Sequence, residues 1–466
     1  TPANETPEKP EPTPEEIARY QKLAQADRLY QCGSSILAER LYREVKEPFA
    51  AEVEFNREII PQSIYESEQL PPGGAVYWRL YQQGLENKKL KSKILIPLKL
   101  LVEQYPEFIP GHLRYAEALA EYGQEEDSLK VLQQAVILYP SEPDLVLAKI
   151  EADEARENWL EASITARQFA LFNRDHFRSP EFMQIAQENL ERYQDDLHSD
   201  LTKNTIGSII TGGLSYALTG YWGGPFSALE TTVLLLQGES AVGDRFSQSL
   251  QKELPLLTDA EVLDYVREIG NQLASVAGRD EFNYEFYVIM DDRLNAFALP
   301  GGKIFINAGA ITKTNSEAEL AGLIAHELSH AVLSHSFQLM AQGTLTVNVV
   351  DLLPYVGPFA SDLIVLNYSR DMEQQADSFG TRLLAANGYA ADGVRNLMVT
   401  LEKQDDNPSP PAWLSTHPDT KERIHYLEEL IVRQNFNRYA YEGVVRHQEI
   451  RQKVERLLGN YQKSRE

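Results

Sequence analysis

The chain contains a single cysteine, Cys32, among its 466 residues. One thiol cannot form an intrachain disulfide or the cysteine-rich ligand set of a zinc finger, so a metal site here would use histidine, aspartate or glutamate. Basic residues are also few, since 44 Lys and Arg oppose 69 Asp and Glu, which gives a net charge of −25. That balance excludes nucleic acid and disfavours an anionic membrane surface as the main partner.

Long uninterrupted hydrophobic runs are scarce too. The stretch from Asn204 to Leu229 has no charged residue and is long enough for a membrane span, but six glycines and Pro225 make it a poor one. We therefore predict that residues 204–237 form a buried or interfacial segment with peripheral membrane contact, and a true span is the alternative. A nearly uncharged stretch over 337–361, interrupted by two prolines, predicts a lid or a membrane-touching loop.

The chain begins without an initiator Met, and five prolines fall in its first fourteen residues. Residues 1–16 are typical of a flexible leader that is exposed after removal of a targeting peptide. This pattern predicts an exported protein of the cell envelope or periplasm. A chain shortened at its start is the alternative interpretation.

Residues 17–203 show helical periodicity throughout. Tyr105-Pro106 and Tyr139-Pro140 lie 34 residues apart, and small residues such as Ala116 and Ser128 fall between them. This spacing resembles the tetratricopeptide repeat, whose paired helices need small side chains where they cross. We predict a helical repeat domain that binds a client or partner protein or braces its neighbour; generic helical hairpins are the alternative.

The pattern changes after Gly238. The stretch FNYEFYVIM, residues 282–290, alternates with a period of two and predicts a strand, and NAFALPGGKIFINAG predicts two strands around a Pro-Gly-Gly turn. A helix should follow, with Ser316 as its N-cap and Glu319 closing a capping box. The whole chain is therefore expected to be α+β and mainly α, with one small sheet.

The helix that follows the capping signal carries H-E-x-x-H. Its histidines, His326 and His330, are four residues apart and share one helical face, so both can bind a single zinc ion beside Glu327. A catalytic zinc needs a third protein ligand, for which Glu373 in a later helix is the candidate. Asp377, one turn further on, is placed to accept a hydrogen bond from a ligand histidine.

Three other side chains lie near these motifs. His335 lies nine residues beyond His326, to one side of a continuous helix, and is expected to be exposed. His417, in the loop sequence STHPD, could stabilise an oxyanion, occupy the open zinc position in a resting state, or be an ordinary loop histidine. Arg423 could serve the same electrostatic role or anchor the loop.

The motifs GESAVGDRF, NAFALPGGKIFINAGAI, HELSH, SRDMEQQADSFG and STHPDTKERI, in this order, resemble the gluzincin metalloendopeptidases of the CAAX prenyl protease, HtpX-like and beta-barrel assembly-enhancing protease type. The resemblance implies a zincin-type metallopeptidase domain over 238–435. Residues 436–466 are expected to form a C-terminal helix. It implies one zinc per chain and a strand that pairs with extended substrate. The residues it assigns are the ligands His326, His330 and Glu373, the general base Glu327 and the supporting carboxylate Asp377.

The chain departs from that family in two ways. The beta-barrel assembly-enhancing type carries its repeats after the catalytic domain, whereas here they come first, and clear transmembrane helices of the prenyl-processing type are lacking. Gln375 replaces a glutamate of many relatives but is not a required ligand. The sequence predicts a zinc metalloendopeptidase acting on misfolded or misassembled envelope proteins. The alternatives are a chaperone or scaffold that acts through the repeats with a latent zinc site, and a hydrolase of small amides or lipids.

Overall fold

The computed structural model describes residues 13–49, 63–86, 90–202, 237–341, 368–405, 413, 417 and 420–465. The fold is mainly helical with one small sheet, as the sequence predicts. Most of the predicted leader, the uncharged segment up to residue 236 and most of the predicted lid lie outside the described residues. Among the helices that are described, none combines the length and the apolar character needed to cross a bilayer.

Eighteen α-helices, one short 3-10 helix over Ser67–Gln69 and three strands lie within the described residues. The first nine helices are α1 Pro14–Gln31, α2 Ser35–Val45, α3 Pro72–Glu86, α4 Ser92–Gln104, α5 Ile109–Glu121, α6 Glu125–Leu138, α7 Pro143–Glu154, α8 Trp159–Phe172 and α9 Ser179–Thr202. The later elements are α10 Glu239–Glu253, α11 Ala260–Ser275, β1 Glu285–Ile289, β2 Ala296–Leu299, β3 Lys303–Asn307, α12 Ala308–Lys313, α13 Glu317–Val332, α14 His335–Ala341, α15 Arg370–Ala386, α16 Gly393–Asp405, α17 Thr420–Arg433 and α18 Val444–Lys463.

Helices α3 to α9 pack in chain order, each against the next. The C-caps of α4, α6 and α8 are Tyr105, Tyr139 and Asn173, so successive helix pairs end 34 residues apart. At one crossing the Ser128 hydroxyl donates to the Ala116 carbonyl oxygen at 2.8 Å, which only a small side chain permits. This arrangement meets the requirements of the repeat prediction, although the identity of the repeats stays a prediction.

The α1–α2 hairpin lies against the C-terminal part of the chain. Its apolar side packs on Val444 at the start of α18. The buried Asp27 carboxylate accepts hydrogen bonds from the backbone N–H groups of Glu442 and Val444, at 2.9 and 3.0 Å, and from the Tyr42 hydroxyl at 2.7 Å. The hairpin is therefore held by the opposite end of the chain.

The sheet has the strand order β1-β3-β2, with β3 parallel to β1 and antiparallel to β2. Both turn glycines, Gly301 and Gly302, have positive φ angles of 72° and 82°, which side chains disfavour. The predicted strand over 282–290 and the predicted hairpin are thus confirmed. Strand β2 is left at one edge of the described sheet.

Helix α13 is buried along its whole length, between the sheet and helices α15 and α16. The Ser316 side chain accepts from the Glu319 N–H at 3.2 Å, which confirms the predicted N-cap. The predicted capping box is wrong in its second half, because the Glu319 carboxylate accepts from the Asn315 N–H at 2.9 Å, one residue before the cap. A Cβ at Gly322 would lie 2.6 Å from the carbonyl carbon of Gly393, so this glycine lets α13 and α16 approach closely.

A buried charge cluster fixes the end of the α1–α2 hairpin. The Lys46 ammonium lies 2.8 Å from Asp392 and 2.5 Å from Glu442, and all three side chains are at most 5% exposed. Arg438 joins the cluster, since its Nε lies 3.3 Å from Asp392. Burial lowers the pKa of Lys46, but the two carboxylates outweigh burial and raise it. The cluster is therefore a paired, charged contact between distant parts of the chain.

Replacing Lys46 with Met is expected to lower the free energy of unfolding by about 3–5 kcal/mol, because two buried carboxylates lose their ammonium partner. Urea unfolding measures the change. Lys22→Met is the matched control, since Lys22 pairs with Glu44 at 3.1 Å on the exposed side of the same hairpin and should contribute at most about 1 kcal/mol. Equal midpoints for the two variants would contradict a stabilising role for the cluster.

Candidate metal centre

Helices α13 and α15 bring the three predicted metal ligands together. The His326 and His330 Nε2 atoms lie 3.1 Å apart, one turn apart on the same face of α13. Glu373 approaches from α15, with its Oε2 3.5 Å from His326 Nε2 and its Oε1 3.4 Å from His330 Nε2. All three side chains are buried.

His417 completes this cluster. Its Nδ1 lies 3.3 Å from His326 Nε2 and 2.7 Å from Glu373 Oε1, and the residue is 1% exposed. One donor atom from each of the four side chains lies within 4.8 Å of all the others. The position of His417 agrees with the interpretation in which its imidazole occupies the open metal position.

The donor set fits zinc. Four ligand atoms about 2.0–2.1 Å from a tetrahedral zinc ion would lie about 3.3 Å from one another. The separations of His326 Nε2 from the other three donor atoms, 3.1, 3.3 and 3.5 Å, are close to that value. Two imidazole nitrogens that face each other in a buried site cannot both be protonated without repulsion, and a shared cation removes the conflict. His326, His330 and Glu373 would hold the ion, with His417 at the fourth position.

Glu327 lies beside the ligands, as predicted. Its Oε1 accepts from the Trp413 indole N–H at 2.8 Å, and His417 Nε2 lies 3.6 Å from the same oxygen. Its Oε2 is buried and has no hydrogen-bond partner among the described residues. Burial raises the pKa of Glu327 and outweighs the nearby imidazoles. A raised pKa with one free oxygen suits a group that accepts and returns a proton.

Asp377 supports His326. The His326 Nδ1 lies 3.0 Å from Asp377 Oδ1, so this carboxylate fixes the ring and its tautomer. Arg423 donates to both Asp377 oxygens, at 2.7 and 2.8 Å, and its Nη1 lies 2.7 Å from Glu373 Oε2. Burial raises the pKa of Asp377, but Arg423 and His326 outweigh it and lower it. Arg423 thus makes the contacts of an anchor, and its suggested oxyanion role stays a prediction.

The prediction for His335 was wrong, because this residue is 1% exposed. Helix α13 ends at Val332, and Ser334 adopts a left-handed φ of 61° before α14 begins at His335. The nine-residue offset from His326 therefore does not follow a continuous helix. The turn directs the His335 ring inward, where Nδ1 lies 3.0 Å from His330 Nδ1 and Nε2 lies 2.8 Å from Gln375 Oε1.

Two aromatic residues that the sequence did not single out line the cluster. Tyr368 stacks on His330 with ring centroids 3.6 Å apart, and Trp413 stacks on His417 at 4.2 Å. The sequence could have indicated Trp413 by its position four residues before His417. In the structure the Trp413 carbonyl oxygen accepts the His417 N–H at 3.0 Å. Tyr368 follows no local pattern that would have indicated a role.

Comparison with known proteins agrees with this geometry. Residues 262–431 match the model of peptidase family M48. The chain is 27% identical over 214 residues to the beta-barrel assembly-enhancing protease of Yersinia pestis, covering 41% of this chain and 43% of that protein. It is 30% identical over 174 residues to the mitochondrial metalloendopeptidase OMA1 of Schizosaccharomyces pombe, covering 35% and 52%. The human mitochondrial metalloendopeptidase OMA1 is 28% identical over 209 residues, covering 39% and 38%. The chain thus spans about half or less of the length of these relatives.

Glu373→Ala is expected to abolish stoichiometric zinc binding, because the loss of a direct ligand should exceed the roughly 10–100-fold cost of losing an outer partner. Elemental analysis of the purified proteins would give one zinc per chain in the wild type and none in the variant. Glu422→Ala is the control, since Glu422 lies nearby on α17 but is 77% exposed and holds only an exposed arginine. Zinc retained by the Glu373 variant would exclude this carboxylate from the ligand set.

Proposed function

We propose, because residues 262–431 match the model of peptidase family M48, that the chain is a zinc-dependent metalloendopeptidase with Glu327 as its general base. The observation that carries the proposal is the buried set of His326, His330 and Glu373, with the unpartnered Glu327 Oε2 beside it. Structural zinc sites use four protein ligands and need no free carboxylate next to them. A base with one unoccupied oxygen is the part that a hydrolytic site requires.

Each residue of the site has a separate role in the proposed hydrolysis. Zinc bound by the three ligands would acidify an attacking water and polarise the scissile carbonyl group. Glu327 Oε2 would accept the proton of that water and pass it to the nitrogen of the leaving amine. The Trp413 indole, held 2.8 Å from Oε1, fixes the carboxylate so that Oε2 remains the reactive oxygen. Asp377 and Arg423 keep His326 and Glu373 in place behind the ligands.

Strand β2 offers a place for an extended peptide. The Asn307 N–H donates to the Asn295 carbonyl oxygen at 2.9 Å. In an antiparallel pair every second residue makes such bonds, so the backbone N–H and C=O groups of Phe297 and Leu299 point toward β3. The N–H and C=O groups of Ala296 and Ala298 then point away from β3, toward the edge with which no other described strand pairs. Both residues are buried, and the Ala298 carbonyl oxygen accepts from the Ser336 hydroxyl, so an added strand would replace that contact. A substrate chain could add there as a further strand, with backbone contacts that are independent of sequence.

One of these edge groups connects to the metal cluster. The Ser336 hydroxyl lies 3.2 Å from the Ala298 carbonyl oxygen and 2.9 Å from the Tyr368 hydroxyl, and Tyr368 stacks on His330. The edge strand therefore lies within a few side chains of the proposed reaction centre, which supports peptide rather than small-molecule substrates.

We infer that the clients are misfolded or misassembled proteins of the cell envelope. Three features support this inference. Backbone pairing at an edge strand suits unfolded segments, the negative net charge disfavours nucleic acid, and the name of the Yersinia relative refers to beta-barrel assembly. Helices α3 to α9 are proposed to select or position these clients.

The position of His417 favours a closed resting state. With His417 Nδ1 at the fourth vertex, a substrate carbonyl has no free coordination position, so the side chain must leave before a peptide can react. This closure also supports a second candidate function, a chaperone or scaffold that acts through the repeats while the zinc site stays latent. The two functions differ in whether Glu327 is needed.

His417→Ala is expected to retain zinc and to raise basal cleavage of unfolded casein several-fold, because the fourth position becomes free. His425→Ala, which removes an exposed histidine on α17, should leave the rate unchanged. A His417 variant that keeps its zinc but cleaves more slowly would show that the imidazole assists the reaction instead of blocking it.

Glu327→Gln is expected to bind zinc normally and to lower casein cleavage by a factor of at least about 100, as removal of a general base does. The substitution should be made in both the wild type and the His417→Ala chain, so that latency does not hide the loss. In cells, the same variant separates the two functions. If Glu327→Gln restores a deletion strain as fully as the wild type does, the scaffold function is correct and proteolysis is not the chain's role.

A further inference from the structure

We infer that His335, Gln375 and Gln168 form a hydrogen-bonded chain that positions the metal ligand His330 and ties it to the repeat helices. The inference rests on the metal site proposed above and extends it to residues outside the proposed ligand set. His335 and Gln375 lie directly behind the cluster, and Gln168 is on helix α8. His335 and Gln375 are positioning residues, since each acts on the metal through His330.

The direction of each hydrogen bond follows from the chemistry of His330. Its Nε2 faces the other donor atoms of the cluster, 3.1 Å from His326 Nε2, so the ring binds metal through Nε2 and carries its proton on Nδ1. That Nδ1–H can only donate, and His335 Nδ1, at 3.0 Å, must accept it. The proton of His335 is then on Nε2, which donates to Gln375 Oε1 at 2.8 Å. The tautomer of His335 is thus fixed at both ends.

Gln375 receives a second donor from the repeats. The Gln168 side-chain amide donates to the same Oε1 at 3.2 Å, across the contact between α8 and α15. Gln375 lies two residues after Glu373 on α15. The contact between Gln168 and Gln375 therefore acts on Glu373 through the helix, and on His330 through the hydrogen-bonded chain. Docking of α8 should therefore strengthen zinc binding.

The two ligand histidines are supported differently. His326 donates to a carboxylate that Arg423 holds in place, whereas His330 donates to a neutral imidazole. A carboxylate makes its ligand histidine more basic than an imidazole does, so the His330 side of the site is the one more easily released. The His330 side is also the side that α8 contacts. The affinity for zinc should therefore depend on whether α8 is docked on α15.

Such a connection is reciprocal by thermodynamic linkage. If docking of α8 raises the affinity for zinc, then zinc must stabilise the docked position of α8 by the same factor. A client or partner that displaces α8 would weaken the support of His330. Removal of zinc would loosen the contact between α8 and α15.

The first test compares two variants of His335 by zinc competition with a chromogenic chelator. His335→Leu removes the acceptor and is expected to weaken zinc binding by about 10–100-fold. His335→Asn keeps an amide oxygen near the place of Nδ1 and should recover much of that affinity, although it cannot reach Gln375. The visible spectrum of the Co²⁺-substituted protein should change in the Leu variant, because the orientation of a metal ligand has changed.

The second test addresses the connection with the repeats. Gln168→Leu is expected to lower zinc affinity by a smaller factor, of about 3–10, since it removes one of two donors to Gln375. Gln133→Leu is the matched control, because Gln133, on α6, donates to Asp371 at 2.5 Å across the neighbouring contact with α15 and does not join the hydrogen-bonded chain behind His330. Amide hydrogen exchange over 159–172 should slow when zinc is added to the wild type and respond less in Gln168→Leu.

The outcomes separate this inference from the proposed function. Failure of the wild type to bind zinc would overturn the proposed function itself. Normal zinc binding by the wild type, with unchanged affinity and an unchanged Co²⁺ spectrum in His335→Leu, would overturn only the positioning role. Equal losses in the Leu and Asn variants, together with a lower melting temperature of their zinc-free forms, would assign His335 to packing and would also overturn it. Equal zinc affinities of the Gln168 and Gln133 variants would overturn the connection to α8.

Discussion

Four electron-pair donors from different parts of the chain are held within 4.8 Å of one another in a site without exposed surface. Such a cluster is unfavourable on its own, because imidazole nitrogens and a carboxylate that point at each other leave lone pairs unshared. A divalent cation turns that repulsion into coordination. The surrounding fold supplies the rigidity this arrangement requires, through a helix buried on all sides, a close glycine contact and an arginine that pairs with two carboxylates.

Helix α15 is the common support of the site. Its first turns supply a proposed metal ligand, a contact to the imidazole behind His330 and a carboxylate behind His326, through Glu373, Gln375 and Asp377. The helical repeat of 3.6 residues spreads these three side chains over adjacent directions, so one element orients both histidines of α13. Whatever moves α15 moves the whole metal environment. The proposed influence of α8 on the metal site follows from its contact with α15.

The sequence predicted the parts of the site that depend on spacing within one helix. His326 and His330 share a face, Ser316 marks the start of their helix, and Glu373 with Asp377 repeats the four-residue spacing on α15. The strands were readable from alternation and a glycine turn. In each case the physical cause is local, so a single sequence contains it.

The features that were missed depend on breaks in regular structure or on distant contacts. His335 seemed peripheral only on the assumption of a continuous helix, and the left-handed Ser334 invalidates that assumption. The docking of Asp27 on Glu442 joins positions 415 residues apart, which no periodicity can indicate. Tyr368 and Trp413 act through ring stacking, and aromatic residues with that role resemble ordinary core residues in sequence.

The central claim is that one zinc ion is held by imidazole and carboxylate ligands at the junction of α13 and α15. X-ray absorption spectroscopy at the zinc edge, on the purified protein loaded with one equivalent of zinc, tests it most directly. We expect a first shell of about four nitrogen and oxygen atoms at about 2.0–2.1 Å, with multiple scattering from three imidazoles in the resting wild type and from two in His417→Ala. A shell without imidazole scattering, or one that is identical in the two proteins, would contradict the account.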